Sequence, residues 1–244
     1  MRYPFTHTAL AIALFSGALV AGCATVAPDY AAFLASPARP AADTVRDADR
    51  KPGELMAFGG IKPGTIVAEL VPGGGYYTRL LSLAVGPTGH VYTYGLRANP
   101  AVAGWAQGHP NVTEGIAGPG VGLAPVPVDV VWTTLNYHDL KNSKTGDRDN
   151  AAVLNEAAFK ALKPGGYYLI NDHQTAKGVG ITQTATLHRI EDVAVIREVE
   201  AAGFKLDARS AILAHPGDDH TLKVVETGIR GKTDQFVLRF RKPR

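Results

Sequence analysis

The stretch Val67-Ala-Glu69-Leu-Val-Pro-Gly73-Gly-Gly75-Tyr-Tyr77 decides the fold that we predict for this chain of 244 residues. Residues 65–70 are mostly apolar and short, which is typical of a buried parallel strand. The residues after the glycines have the apolar spacing of a helix. Because glycines between a strand and a helix let backbone N–H groups approach a ligand closely, the stretch predicts a ligand-binding turn in an α/β domain.

Predicted strands and helices alternate on the carboxyl side of this turn. Such alternation predicts one mostly parallel sheet with helices on both faces. Strands are predicted at 90–94, 111–116, 128–134, 167–171, 204–213 and 235–241, and helices at 99–107, 151–162 and 184–202.

The composition is that of an ordinary globular protein. Hydrophobic residues make up 45% of the chain, and the formal net charge is +3. No cluster of Lys and Arg forms a basic patch, so we predict no nucleic-acid partner. The single cysteine excludes an intramolecular disulfide.

The first residues predict export. Arg2 precedes an apolar run over 9–20, which is too short to span a bilayer but suits the core of a secretory signal. The run ends in Val20-Ala-Gly-Cys23, which resembles a lipoprotein cleavage site, although a plain signal peptide with a chance cysteine is the alternative. We predict a signal peptide over 1–22, an Ala/Pro-rich tether over 23–42 and a domain over 43–244.

The same segment predicts the location of the protein. A lipid on Cys23 would provide the membrane attachment, so the domain itself would need no membrane-spanning helix. Ala24 follows the cysteine where an acidic residue would favour the inner membrane. We therefore expect a lipoprotein on the periplasmic face of the outer membrane.

Several further motifs accompany the glycine turn. Together with it they resemble the class I S-adenosylmethionine-dependent methyltransferases, and in particular a group of bacterial predicted methyltransferases, over roughly residues 55–242. The motifs are Val128-Asp129, Asn136-Tyr-His-Asp139, Leu162-Lys-Pro-Gly-Gly166, Asp172-His173 and His188-Arg189.

The resemblance implies a Rossmann-like class I methyltransferase fold, with a seven-stranded sheet whose last strand is antiparallel. It implies S-adenosylmethionine as the cofactor and methyl transfer to a small molecule as the reaction. It places Glu69, Gly73, Gly75 and Tyr77 at the cofactor site. We predict Pro72, Tyr94 and Tyr137 at the same site, and Tyr77 and Tyr137 are expected to stack on an adenine or on an aromatic acceptor.

Two positions depart from the pattern of that family. Val71 stands where the first glycine of the turn is usual, and Tyr94 or Gly95 stands where an acid usually binds the ribose hydroxyls. S-adenosylmethionine is also made in the cytoplasm, from which this chain is predicted to be exported. A non-catalytic ligand-binding lipoprotein on a methyltransferase scaffold is therefore a second hypothesis.

Histidines and carboxylates follow the predicted strands. His138 and Asp139 come after the fourth strand, Asp172 and His173 come after the fifth, and His188 with Arg189 is expected to open the next helix. Since the carboxyl ends of parallel strands lie at one edge of a sheet, we expect these side chains to meet there. The pattern predicts general acid–base chemistry, with His138 and His173 as the preferred bases.

Other interpretations of these residues stay open. The carboxylates can instead cap helices or satisfy buried backbone groups. The set also holds enough ligands for a metal and thus for a metal-assisted hydrolase or lyase, but it lacks a local spacing such as H-E-x-x-H, so we predict no metal. A second polar group, His215, Asp218, Asp219 and His220, is expected to form a solvated turn or a lid over the pocket.

Overall fold

The computed structural model describes residue 1, residues 28–117 and residues 121–244. The predicted signal peptide and Cys23 lie outside the described residues, which leaves the lipid anchor a prediction. The helices are α1 Tyr30–Leu34, α2 Ala41–Thr44, α3 Asp47–Arg50, α4 Pro52–Phe58, α5 Tyr76–Val85, α6 Pro100–Gly108, α7 Tyr137–Leu140, α8 Asn150–Ala161 and α9 Asp192–Ala201. The strands are β1 Ile66–Leu70, β2 His90–Gly95, β3 Val112–Ile116, β4 Val128–Thr134, β5 Lys144–Thr145, β6 Arg148–Asp149, β7 Leu162–His173, β8 Lys205–Ser210 and β9 Gln235–Arg241.

Seven of the strands form one sheet in the order β3-β2-β1-β4-β7-β9-β8. The pairs from β3 to β7 are parallel, and β9 runs antiparallel to both of its neighbours. This architecture confirms the predicted fold class, including the antiparallel last strand. In the described parts of the chain, no helix has both the length and the apolar character that crossing a bilayer requires.

Each face of the sheet is covered by its own apolar layer, because successive strand residues point to opposite faces. On β1, Val67 packs with α4 and α5, whereas Ala68 packs with α8 and α9. On β4, Trp132 faces the first layer and Val131 the second. The two layers leave the carboxyl ends of the parallel strands as the edge at which polar side chains gather.

The folded body begins before residue 43, the boundary predicted from the sequence. Tyr30 in α1 donates a hydrogen bond from its hydroxyl to the carbonyl of Ile61. Arg39 is buried and forms two hydrogen bonds of 2.7 Å with the carboxylate of Asp47. Residues from about 30 onward therefore pack on the domain, although their Ala/Pro-rich composition resembles that of a tether.

The helix predicted over 184–202 is wrong in its first half. Only Asp192–Ala201 is helical, and His188 has a left-handed φ of 56°, which ends any helix at that point. Ile190 instead pairs with Gln174 in an isolated parallel bridge. Long-range contacts of this segment outweigh its helical pattern, so His188 and Arg189 lie in a turn before α9 rather than at the start of a helix.

Candidate functional site

The glycine turn connects β1 to α5 through residues 71–75. Val71, Gly73 and Gly75 have positive φ angles of 50°, 54° and 76°. Glycine adopts such angles at little cost, whereas a non-glycine residue is strained there by about 1–3 kcal/mol. Val71 thus holds a backbone conformation that favours glycine, the residue usual at this position in the family that the sequence resembles. Its N–H donates to the carbonyl of Tyr94 at 2.9 Å.

A cavity of about 410 Å³ opens beside this turn, at the carboxyl ends of β1 and β2. A β-carbon placed on Gly73 or Gly74 would meet no other atom within 4 Å, so the backbone of the turn faces open space. Asn99 joins the two sides of the cavity, because its Nδ2 donates to the carbonyl of Gly73 and its Oδ1 accepts from the N–H of Ala101. Of the predicted cofactor-site residues, Pro72 and Gly73 line this cavity.

Glu69 has a different place from the one that the resemblance implies. Its side chain is buried, and its carboxylate accepts a hydrogen bond of 2.6 Å from the hydroxyl of Thr78 in the first turn of α5. Burial raises the pKa of Glu69 to about 7, and the hydrogen bond from Thr78 opposes the rise. Glu69 therefore joins β1 to α5 and does not line the cavity.

Three tyrosines predicted at the cofactor site belong to the core instead. The ring of Tyr77 packs on Trp132 with ring centres 5.3 Å apart. Tyr137 is fully buried, and its hydroxyl donates to Glu198 at 2.9 Å. Tyr94 packs in the same apolar layer as Tyr137. In the sequence, each tyrosine is near the glycine turn or the end of a strand. The local helix or strand geometry nevertheless directs its ring into one of the two apolar layers of the core.

Asn136 connects the glycine turn to the strand end that carries the histidines. Its Nδ2 donates to the carbonyl of Val71 at 2.9 Å and to the carbonyl of Thr134 at 2.7 Å. The carboxyl ends of β1 and β4 are thereby held together. In the sequence, Asn136 is only one residue of a motif. Its role as a bridge depends on its contact with Val71, which is 65 positions away and could not be predicted from the sequence.

His138 and Asp172 form a buried pair at the ends of β4 and β7. The Asp172 carboxylate accepts from both the backbone N–H and the Nδ1 of His138 at 2.7 Å, and it also accepts from the N–H of His173. Burial by itself lowers the pKa of His138, but the charges and hydrogen bonds of Asp172 and Asp139 outweigh it and raise the pKa to about 10. The ring of His138 is therefore fixed in orientation.

Asp139 and His188 complete the cluster around His138. The Nε2 of His138 lies 3.2 Å from the Nδ1 of His188 and 3.3 Å from the Oδ1 of Asp139. The Nδ1 of His188 lies 2.9 Å from the same oxygen of Asp139. Four of the five residues predicted for acid–base chemistry thus meet at one edge of the sheet, and the ring centre of the fifth, His173, lies 5.8 Å from that of His138.

His173 borders a second cavity of about 390 Å³, between α3 and the segment 224–235. Its Nδ1 lies 2.8 Å from the hydroxyl oxygen of Thr233, and burial lowers the pKa of His173 to about 4. Three arginines also line this cavity, Arg46, Arg50 and Arg230, with Asp49 as the acidic residue among them. Sequence reasoning missed these arginines, since they come from two distant segments and carry no local spacing signal.

The polar group predicted as a solvated turn or a lid lies in a loop that Arg189 holds at Asp218, while Asp219 in the same loop is exposed. Arg189 is fully buried, and its guanidinium binds Asp218 through two nitrogens at 2.8 and 3.1 Å. It also donates to the carbonyls of Gln174 and Leu222 at 3.0 Å. These contacts tie the segment that carries His188 to the loop before β9.

The residues around the first cavity fit S-adenosylmethionine at the turn and differ from the family pattern at the ribose end. The open backbone at Gly73 and Gly74 and the start of α5 suit a polar ligand. No carboxylate lines the described wall at the end of β2, where Leu96 and Arg97 stand. The nearby carboxylate of Glu114, on β3, already accepts a hydrogen bond of 2.6 Å from the N–H of Asn99.

No protein-family model matches the sequence, and no curated protein matches it. Solved structures do match in fold. A SAM-dependent methyltransferase from Aquifex aeolicus is 18% identical with a TM-score of 0.56, and the match covers 80% of this chain and 97% of that one.

Two other neighbours show the range of proteins with this fold. Fibrillarin of Aeropyrum pernix, solved with natively bound S-adenosyl-L-methionine, is 15% identical with a TM-score of 0.50, over 80% of this chain and 76% of that one. The [4+2]-cyclase SpnF is 14% identical with a TM-score of 0.55, and the match covers 80% of this chain and 81% of that one. The chain therefore has the Rossmann-like fold of the class I methyltransferases.

Proposed function

We propose that this protein is an S-adenosylmethionine-dependent methyltransferase that acts on a small anionic molecule. The observation that carries the proposal is the pair of cavities at one edge of the sheet. One lies beside an open glycine turn, the other is lined by arginines and His173, and Asn136 connects the strand ends between them. Support also comes from structural neighbours that are SAM-dependent methyltransferases.

The first cavity would hold the cofactor. When bound, S-adenosylmethionine supplies an electrophilic methyl group. The open backbone at Gly73 and Gly74 leaves room for a ligand to approach, and Asn99 fixes the opposite wall by its bond to Gly73. Because Asn136 holds the carbonyl of Val71, the turn that would contact the cofactor keeps a fixed position relative to β4.

The second cavity would hold the methyl acceptor. Arg46 is already paired with Asp43 at 2.6 Å, whereas Arg50 donates to no carboxylate in the described part of the chain and is available to an anion. His173 lines the same cavity, and its pKa of about 4 keeps the ring neutral near pH 7, so the imidazole would position the acceptor by hydrogen bonding. An acceptor with a carboxylate or phosphate group fits this lining.

The test is calorimetric titration of the full chain with S-adenosylhomocysteine. We expect binding with one site per chain, and loss of binding in Gly73→Val, whose side chain would enter the cavity. Gly86→Val is the matched control, since Gly86 also has a positive φ and open space but lies at the other end of α5. Failure of the folded wild type to bind would contradict the proposal and favour a non-catalytic ligand-binding role on this scaffold.

We also propose that Cys23 is lipid-modified and that the protein is exported to the periplasmic face of the outer membrane. The support is the apolar run over 9–20 followed by Val20-Ala-Gly-Cys23. Labelling cells with radioactive palmitate tests the modification. Label is expected on the wild type and not on Cys23→Ser, and equal labelling of the two would contradict the proposal.

A further inference from the structure

Three side-chain atoms at the end of β4 converge on one point. They are the Nε2 of His138, the Nδ1 of His188 and the Oδ1 of Asp139, and their separations are 3.2, 3.3 and 2.9 Å. Zn²⁺ binds such atoms at about 2.0–2.1 Å in tetrahedral geometry, which places its ligand atoms about 3.3 Å apart. In the described residues, this is the group of three ligand atoms with a spacing suited to a metal ion.

The ring of His138 presents one nitrogen to this group. Its Nδ1 donates to Asp172, so its Nε2 is the atom that faces Asp139 and His188. Without a metal, N–H groups of the two rings can donate to the Oδ1 of Asp139. A divalent cation would displace those protons and take all three atoms as ligands.

The surroundings are those of a metal site with an open position. Asp172 is fully buried and fixes the ring of His138 through Nδ1, as outer-shell carboxylates do for metal-binding histidines. His188 is held at a φ of 56°, an uncommon angle for a residue that is not glycine. The side chains of Asp139 and His188 are 52% and 30% exposed, which leaves room for a water molecule or a substrate oxygen as a further ligand.

We propose that His138, Asp139 and His188 form a binding site for a divalent transition-metal ion, with Zn²⁺ as the best fit. Two imidazoles and one carboxylate suit zinc and its neighbours rather than Mg²⁺, which prefers six oxygen ligands. The inference goes beyond the proposed methyl transfer and does not depend on it. It also replaces the prediction, made from the sequence, that no metal binds.

The experiment is a zinc titration of full-length, untagged protein carrying Cys23→Ser, so that no thiol competes for the metal. We expect one Zn²⁺ per chain and at least a 100-fold loss of affinity in both His188→Ala and Asp139→Ala. Both residues are partly exposed, so the variants are expected to fold, which circular dichroism checks. Replacement of Zn²⁺ by Co²⁺ should give the visible absorption of a four-coordinate site.

A matched control is His220→Ala. His220 also has a positive φ, of 62°, and lies 3.1 Å from a carboxylate, that of Asp234, but it belongs to no such group of three. Its replacement should leave zinc affinity unchanged. A wild type that binds less than one Zn²⁺ per ten chains, or a His188→Ala variant with wild-type affinity, would overturn the proposal, as would Mg²⁺ binding as tightly as Zn²⁺.

Discussion

Asp172 accepts two hydrogen bonds of 2.7 Å from one residue, His138, one from its backbone N–H and one from its Nδ1. The two bonds fix both the backbone and the ring of His138 relative to β7. The free nitrogen of that ring therefore has a defined direction, toward Asp139 and His188. The two hydrogen bonds thus place residues that are far apart in the sequence together in one site.

Asp172→Asn should weaken zinc binding by about 10- to 100-fold, the usual effect of changing an outer-shell partner of a metal-binding histidine. The amide has a similar shape, but its single oxygen can accept from the Nδ1 or from the backbone N–H of His138 and not from both, while its NH₂ group faces the other donor. Competition with a coloured chelator measures the affinity. Asp234→Asn, which alters the carboxylate beside His220, is the control, and an equal loss in both variants would argue against a specific role for Asp172.

Gly75→Ala should destabilise the protein by about 1–2 kcal/mol. Gly75 has a φ of 76°, and an added β-carbon would lie 2.9 Å from the Nη1 of Arg79. Gly104→Ala is the comparison, because a β-carbon there meets nothing within 4 Å and alanine favours the helix by about 1 kcal/mol. Urea unfolding should give opposite signs for the two variants, and a stabilised Gly75→Ala would contradict the turn geometry.

Glu69→Gln should remove a pH dependence of stability. The folded-state pKa of Glu69, about 7, lies above the ordinary value of 4.5, so the folded protein favours the protonated acid. The stability that this group contributes is complete below about pH 4.5 and is lost as the pH rises through 7. As the pH rises over this range, the wild type should therefore lose roughly 3 kcal/mol of unfolding free energy relative to the glutamine variant.

Urea titrations at pH 5, 6, 7 and 8 measure that difference. Glu156→Gln is the control, because the hydrogen bond and charge of Arg148 lower the pKa of Glu156 at an exposed site. Its small effect should have the opposite sign. A constant difference between Glu69→Gln and the wild type at every pH would show that burial does not perturb Glu69.

Arg50→Gln should impair the use of anionic acceptors and spare neutral ones. Loss of one charge-assisted hydrogen bond is worth about 1.5–3 kcal/mol, which corresponds to a KM raised roughly 10- to 100-fold. The assay follows release of S-adenosylhomocysteine with paired carboxylic acids and their amides. Preference of the wild type for the amides, or an Arg50→Gln variant with an unchanged KM for the acids, would contradict an anionic acceptor.

Arg189→Met should destabilise the protein by about 3–5 kcal/mol, since it leaves the buried carboxylate of Asp218 without its partner. It should also weaken zinc binding, because the turn that carries His188 loses its attachment. Arg148→Ala, which breaks an exposed ion pair with Glu156, should cost less than about 1 kcal/mol. Equal unfolding midpoints for the two variants would show that the buried contact adds no stability.

The sequence predicted the layered architecture well, because the signals for it are local. The apolar strands β1 and β4 and the glycines of residues 73–75 follow from periodicity and backbone preference alone. The prediction of a helix over 184–202 was wrong in its first half. The pattern of apolar residues there is helical, but the buried ion pair of Arg189 with Asp218 stabilises another conformation. Similarly, the composition of residues 30–42 does not reveal that Arg39 binds Asp47.

The sequence by itself determined the α/β class, the order of the seven strands of the main sheet along the chain and the edge of the sheet at which His138, Asp139, Asp172 and His188 would be found. Periodicity and strand direction are properties of short stretches, so they can be read without coordinates. Only the tertiary structure decided which of these side chains touch, that Tyr77, Tyr94 and Tyr137 serve the core, and that arginines from two distant segments share a cavity with His173. Those outcomes depend on side-chain direction and on contacts between distant segments, which no local pattern encodes.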